Sequence, residues 1–323
     1  MFFMLKNLHF KYKLMMNDIQ SKGNFKMLPE IHGISCGLKA LATRISIEGA
    51  SVCRTSCGGH GYMEVAALSQ ALGALHGVYT AEGEYTVVCL QMARYLIKQI
   101  AKVASGETVT NTSAYLNIDP QAFSCPIQSP DDCLNLQYLC DVARNRANSM
   151  IRLVASRLQA EIESGIQQQI AMNNNLQALV RAAEAHCQTI ILTDFVAGVT
   201  SLRTSPQTTK VLTRLCQLFA LHTIVENSGD FLETESVGLV QIKWIKEQEL
   251  KLMTAIRPDA VSLVDAFDLH DESICSILGV YDGNVYERLY ESAKYNPMNQ
   301  SQVHPSYHKY LKPLMSGEVT SKL

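Results

Sequence analysis

Several features are missing from this chain, and each absence narrows what it can be. No apolar run approaches the roughly 20 residues that cross a bilayer as a helix, so no membrane span is expected. The ten cysteines contain no Cys-x-x-Cys pair, and the nearest approach, Cys53-x-x-x-Cys57, has no second ligand pair to complete a zinc site. Cysteines scattered in this way read as buried, reduced thiols of an intracellular protein, and no metal is expected. Basic residues are not in excess: 28 Lys and Arg stand against 30 Asp and Glu, a net charge of −2. That balance offers no electrostatic footprint for nucleic acid or an anionic membrane. There is no Rossmann or Walker glycine motif, and alternating strand patterns are essentially absent. The first residues, Met1 to Lys6, are apolar and basic, but Lys11, Lys13 and Asp18 interrupt them. Without a central apolar block or a small-residue cleavage site they do not make a secretory signal, and they read as a helix packed on the body of the protein.

What is present is helical periodicity. With 323 residues, 47% hydrophobic and 18% charged, the chain is an ordinary globular sequence long enough for two domains. Leu38, Leu41, Ala42 and Ile45 recur at helical spacing, and a further helix starts near Thr86 and runs to about Val103. Ser105-Gly106 stops it. Residues 111–135 have little helical pattern and contain Pro120, Pro126 and Pro130, so they read as a linker. Beyond it lie periodic stretches over 139–158, 162–190 (with a break expected at Asn173-Asn174-Asn175), 208–225 and 237–268. Their number and length predict a four-helix bundle. The expected fold is all-α, with two helical bundles joined by a proline-containing linker. The expected division is a first domain over 1–110, a linker over 111–135, a second bundle over 136–312 and an exposed tail over 313–323.

Chemistry concentrates in one stretch. Cys57-Gly58-Gly59-His60-Gly61-Tyr62 is followed, after nineteen residues, by Glu82-Gly83. Closely placed glycines let a backbone turn sharply and approach a ligand with no Cβ in the way. Glu82 stands just ahead of the helical run containing Val88, Met92 and Leu96, where helix-terminal amides can face a polar cofactor. The same residues also suit a plain loop and a solvated glutamate favourable to a helix dipole. His60 reads either as a ligand donor or as a turn histidine bonded to local carbonyls. Thr86 reads as the cap of the following helix or as a ligand contact, with capping the preferred reading. Asp265, Asp268, His270, Asp271 and Glu272 form no metal-ligand pattern and read as a solvated helix end. Glu184 and His186, two residues apart, do not share a helix face and read as structural. The carboxy-terminal Ser321-Lys322-Leu323 is a tripeptide of the type read by the peroxisomal import receptor.

A resemblance joins these pieces. Leu28-Pro29-Glu30-Ile31-His32, Gly37-Leu38-Lys39-Ala40, Cys53-Arg54, the 57–62 turn, Glu82-Gly83-Glu84 and Leu90 to Leu96 resemble, in order and spacing, the carboxy-terminal half of peroxisomal acyl-CoA oxidases. Leu263-Val264-Asp265-Ala266-Phe267-Asp268 and Tyr281-Asp282-Gly283-Asn284-Val285-Tyr286 extend the likeness to nearly the whole chain. The resemblance implies FAD-dependent oxidation of a fatty acyl-CoA to the trans-2-enoyl-CoA in peroxisomal β-oxidation, with oxygen reduced to hydrogen peroxide. It implies Glu82 as the base that removes the α-proton. It also implies Gly58, Gly59, His60, Gly61, Tyr62 and Gly83 as flavin contacts, the turn reaching the cofactor of a neighbouring subunit. A homodimer, or a heterodimer with a full-length oxidase, in the peroxisomal matrix is expected. The family's amino-terminal helical domain and middle β-domain do not lie in these 323 residues, so the alternative is a catalytically incompetent helical module that dimerises with full-length oxidases. The chain also departs from the family pattern near the base: Ala81 precedes Glu82 where an aromatic or small β-branched residue is usual, and Tyr85 stands where the family usually has Asn.

Overall fold

The computed structural model describes residues 1–317 and contains helices and turns, with no strand among the described residues. The helices, in chain order, are α1 (Phe2–Lys22), α2 (Leu28–Ser56), the single turn α3 (Gly59–Tyr62), α4 (Leu68–Thr80) and α5 (Tyr85–Ala104). After them come α6 (Leu136–Glu163), α7 (Gln168–Asn174), α8 (Leu176–Ser201), α9 (Pro206–Glu226), α10 (Ser228–Glu233) and α11 (Leu239–Ile256). The short α12 (Ala260–Asp265) and α13 (Asp271–Ile274), then α14 (Val285–Tyr295) and α15 (Lys312–Met315), complete the series. The all-α expectation holds. The tripeptide Ser321-Lys322-Leu323 lies outside the described residues.

Helix ends follow local chemistry. Asn135 accepts hydrogen bonds from the amides of Gln137 and Tyr138 and so opens α6, and Ser205 with Pro206 opens α9. The stretch expected over 162–190 is interrupted twice. Gly165, at φ 94°, follows the end of α6, and Asn175 separates α7 from α8. The stretch expected over 237–268 ends its α-helical run at Ile256, where Pro258 withdraws an amide from the ladder.

The chain divides into two compact units that interleave along the sequence. One comprises Met1–Ser46 with His76–Ala266; the other comprises Ile47–Leu75 with the described residues from Phe267 onward. In the first unit α8 is central, packing against α1, α5, α6 and α9. It is buried on more than one face because Ala182, Ala183 and Ala185 let neighbours approach closely, while Leu179, Ile190 and Ile191 fill the space between them. Two adjoining apolar clusters form. One draws on Ile34, Leu41, Met92, Leu96, Ile151 and Leu179, the other on Leu139, Leu221, Ile224, Phe231 and Ile245. Helices α6, α8, α9 and α11 are the four long helices foreseen for the second half. Residues 111–135 run as short 3-10 turns laid down on this bundle, with Leu116, Ile127 and Cys133 fully buried. Side chains hold that segment's backbone. Asn148 donates to the carbonyls of Tyr115 and Ile118, Gln217 to that of Leu134 and Gln248 to that of Pro130. The amino-terminal residues form α1, whose Phe3 ring stacks on Phe195 of α8 at 5.8 Å.

The second unit contains the glycine turn. The amide of Ile277 donates to the carbonyl of Val65 at 3.0 Å, and the His60 ring lies edge-on to Tyr286 at 5.8 Å. Asp282-Gly283-Asn284 forms a turn, with the Asn284 amide donating to Asp282 and Gly283 at φ 71°.

Candidate active site

The two candidate elements belong to different compact units, and each is built by its own surroundings. Glu82 lies in the turn between α4 and α5. Its backbone is left-handed, φ 59°, a conformation that costs a non-glycine residue on the order of 1 kcal/mol. Gly83 follows at φ 113°, and a Cβ there would stand 2.7 Å from Val88 Cγ1. The turn therefore requires glycine at 83 and tolerates strain at 82. The Glu82 side chain is exposed and finds no hydrogen-bond partner among the described residues. The cap of α5 is Glu84, whose carboxylate accepts from the Thr86 amide at 2.9 Å. Thr86 thus receives the capping bond and does not supply it, which corrects the preferred reading of that residue: a carboxylate one position ahead of the helix reaches the free amides first.

Side chains behind the turn hold it in place. Lys39, on α2, donates from Nζ to the carbonyl of Tyr79 at 2.9 Å and to that of Gly83 at 2.6 Å. The Tyr79 and Tyr85 rings stack at 6.0 Å across the turn. Arg44 donates to the Tyr85 hydroxyl at 2.6 Å and pairs with Glu184 of α8. Periodicity gave no sign of these residues. Lys39 stood out only as part of the Gly37 to Ala40 quartet, and Glu184 takes the structural role expected of it.

The glycine turn is equally determined. Gly58 adopts φ 58°, and Gly61 is buried where a Cβ would overlap the carbonyl oxygen of Arg54. Arg54 in turn donates from Nε to the Gly61 carbonyl at 3.1 Å. At Gly58 and Gly59 the space a Cβ would take is open, so their backbone is accessible to an approaching ligand. Tyr62 is 80% exposed. His60 Nδ1 is buried without a hydrogen-bond partner, which removes the reading of His60 as a turn histidine bonded to local carbonyls. An open glycine backbone and an orphaned imidazole nitrogen fit contact with the polar part of a flavin nucleotide.

Other titratable groups serve packing. His186 is fully buried; its Nδ1 meets the Tyr115 hydroxyl at 2.7 Å, and burial holds its pKa down at about 3. Cys89, Cys133, Cys140, Cys187 and Cys216 are buried as expected, but Cys53, Cys57 and Cys275 are exposed, because α2 ends and α13 lies at the surface. No metal-binding cluster of His, Cys, Asp or Glu occurs among the described residues. No described helix is long and apolar enough to cross a membrane. A cavity of about 430 Å³ in the first unit, bordered by Lys11, Arg144 and Asp194, includes none of the candidate residues.

Comparison with known proteins decides the family. Residues 135–316 match the acyl-CoA oxidase family profile, and residues 1–97 match its C-alpha1 domain. This chain belongs to the acyl-CoA oxidase family. It is 40% identical over 301 residues to peroxisomal acyl-coenzyme A oxidase 1 of Phascolarctos cinereus, covering 92% of this chain and 45% of that protein. Against peroxisomal acyl-coenzyme A oxidase 2 of Rattus norvegicus the identity is 38%, covering 92% and 44%. Among solved structures, Arabidopsis thaliana acyl-CoA oxidase 1 superimposes with a TM-score of 0.93 at 33% identity, covering 98% of this chain and 48% of that one. Acyl-CoA oxidase-1 of Caenorhabditis elegans, solved with FAD and ATP, gives 0.92 at 29%, covering 98% and 47%. The chain thus spans about half the length of the relatives it matches.

Proposed function

We propose that this chain is the base-bearing and flavin-contacting half of an FAD-dependent acyl-CoA oxidase acting in fatty-acid β-oxidation in the peroxisomal matrix. The observation that carries the reading is the Glu82-Gly83 turn, a strained carboxylate-bearing turn that faces outward and is fastened from behind. In this reading a Glu82 carboxylate oxygen removes the proton from the carbon next to the thioester carbonyl, and the product is the trans-2-enoyl-CoA. The chemistry a bound FAD would supply is acceptance of the β-carbon hydride, with the electrons going on to oxygen as hydrogen peroxide. Gly58 and Gly59 would present open backbone to the nucleotide and His60 would offer it the unpartnered Nδ1, while Gly61 and Tyr62 would hold the shape and face of the turn. Gly83 keeps the backbone beside the base free of a side chain. Glu82 is exposed on its own unit, so in this reading the acyl chain, a bound flavin and a partner protein would have to cover it from water. A dimer, homomeric or with a full-length oxidase, supplies that cover, and Ser321-Lys322-Leu323 delivers the chain through the import receptor.

The test is to purify the protein alone and with a full-length oxidase, then record flavin absorbance and peroxide release on addition of acyl-CoA. Turnover that Glu82→Gln lowers by at least a hundredfold supports the reading. Assembly with the oxidase without flavin or Glu82-dependent turnover overturns it and identifies the incompetent helical module.

A further inference from the structure

We propose that Lys39 is a positioning residue for Glu82, acting as a two-point strap across the turn that carries it. The inference rests on the reading of Glu82 as the base, but its structural half stands separately. Glu82 is held in a left-handed conformation that an L residue adopts only when its surroundings over-determine the backbone. The over-determining contacts are visible. Lys39 Nζ bonds the carbonyl of Tyr79, in the last turn of α4, and the carbonyl of Gly83, the residue after Glu82. Two charge-assisted bonds from one ammonium thus close over the three residues between them, Thr80, Ala81 and Glu82. The Tyr79 carbonyl belongs to a helix end that leaves acceptors unfilled, which makes it a natural site for a cation.

The far side of the turn is fastened from the same helix. Arg44 grips the Tyr85 hydroxyl while paired to Glu184, and Tyr85 stacks on Tyr79. Tyr85, which with Ala81 is one of the two positions beside Glu82 where the sequence departs from the family pattern, is only 8% exposed. Lys39 and Arg44 therefore clasp the two ends of the turn onto α2, leaving the Glu82 side chain as the part that faces out. Positioning of this kind alters the turnover step more than substrate affinity, because a displaced base loses alignment with its proton while acyl-CoA contacts elsewhere persist.

The experiment compares wild type, Lys39→Met and Lys39→Arg in the full chain, assembled with a full-length oxidase where activity is read. Hydrogen exchange of the Thr80 and Ala81 amides, which close the end of α4, is expected to quicken at least tenfold in Lys39→Met, while amides of α6 stay unchanged. kcat is expected to fall ten- to a hundredfold with KM within twofold, and Lys39→Arg, which keeps two donors, is expected to recover most of both losses. Unchanged exchange at Thr80 and Ala81, or equal losses in kcat and KM that Lys39→Arg does not recover, overturns the proposal. If wild type shows no turnover, the reading of Glu82 as a base falls, and exchange alone decides whether Lys39 straps the turn. Should Lys39→Met not fold, Lys39→Gln, too short to reach both carbonyls, is read in the same way.

Discussion

Arg146 donates to Asp230 at 2.8 Å, and both side chains are 2% exposed. The pair ties α6 to α10 beneath the second apolar cluster. The guanidinium lies 4.7 Å from the Phe231 ring centre, Gln188 accepts a second bond from it, and Arg181 meets the other Asp230 oxygen. Burial pulls the Arg146 pKa below its ordinary value, and the bond to Asp230 opposes that pull. Removing one partner leaves a buried charge uncompensated. Asp230→Ala is therefore expected to cost about 3–5 kcal/mol in urea unfolding, whereas the double variant Arg146→Met with Asp230→Leu costs clearly less. Equal losses in the two proteins would refute this account.

His186 makes acid stability testable. In the folded chain burial holds it at about 3, against an ordinary 6.5, while the unfolded chain takes up a proton near that ordinary value. Its contribution is intact above pH 6.5 and is lost progressively as pH falls towards 3, because only the unfolded state binds the proton in that window. The stability difference between wild type and His186→Gln is expected to change by up to roughly 1.4 kcal/mol per pH unit between those limits. A difference that does not vary with pH would show that His186 titrates alike in both states.

The glycine turn separates two positions of identical composition. Gly61→Ala places a Cβ onto the Arg54 carbonyl, a backbone atom that cannot swing aside, whereas Gly59→Ala meets open space. Gly61→Ala is expected to destabilise by about 1–3 kcal/mol and to abolish flavin binding. Gly59→Ala is expected to stay within about 0.5 kcal/mol in stability while weakening flavin binding. Thermal midpoints and flavin titration of both variants check the contrast.

Strain at Glu82 predicts a trade. Asn tolerates the left-handed region better than Glu, so Glu82→Asn is expected to raise stability by a few tenths to about 1 kcal/mol while eliminating turnover. A loss of stability on this substitution would show that the Glu82 side chain, and not its backbone, is what the turn needs.

Much of the fold was legible because helix period and helix punctuation are local properties. Leu139, Val142, Ile151, Val154 and Leu158 lie at the spacing that buries one face of α6, and Asn175 marks a break because its residue type favours one. The cap of α5 was misplaced by two residues, since Glu84 and Thr86 are both competent and only backbone conformation chooses between them. The site was legible as residue types, Glu82 and the 57–62 turn. Its supports were not, because Lys39 reaches Gly83 across 44 positions and Arg44 reaches Glu184 across 140.

From its sequence alone this protein was bound to be all-α, to break at Asn173-Asn174-Asn175, and to resemble one oxidase family along nearly its whole length; the breaks at Gly165 and Pro258 came with the structure. Those properties follow from side-chain spacing and backbone preference within a few residues. Tertiary structure alone decided that α2 grips the Glu82 turn, that Arg146 and Asp230 are buried together, and that Glu82 and the glycine turn fall into different compact units. Such contacts join residues far apart in the chain, and only packing, which selects one mutual arrangement of helices, brings them within bonding distance.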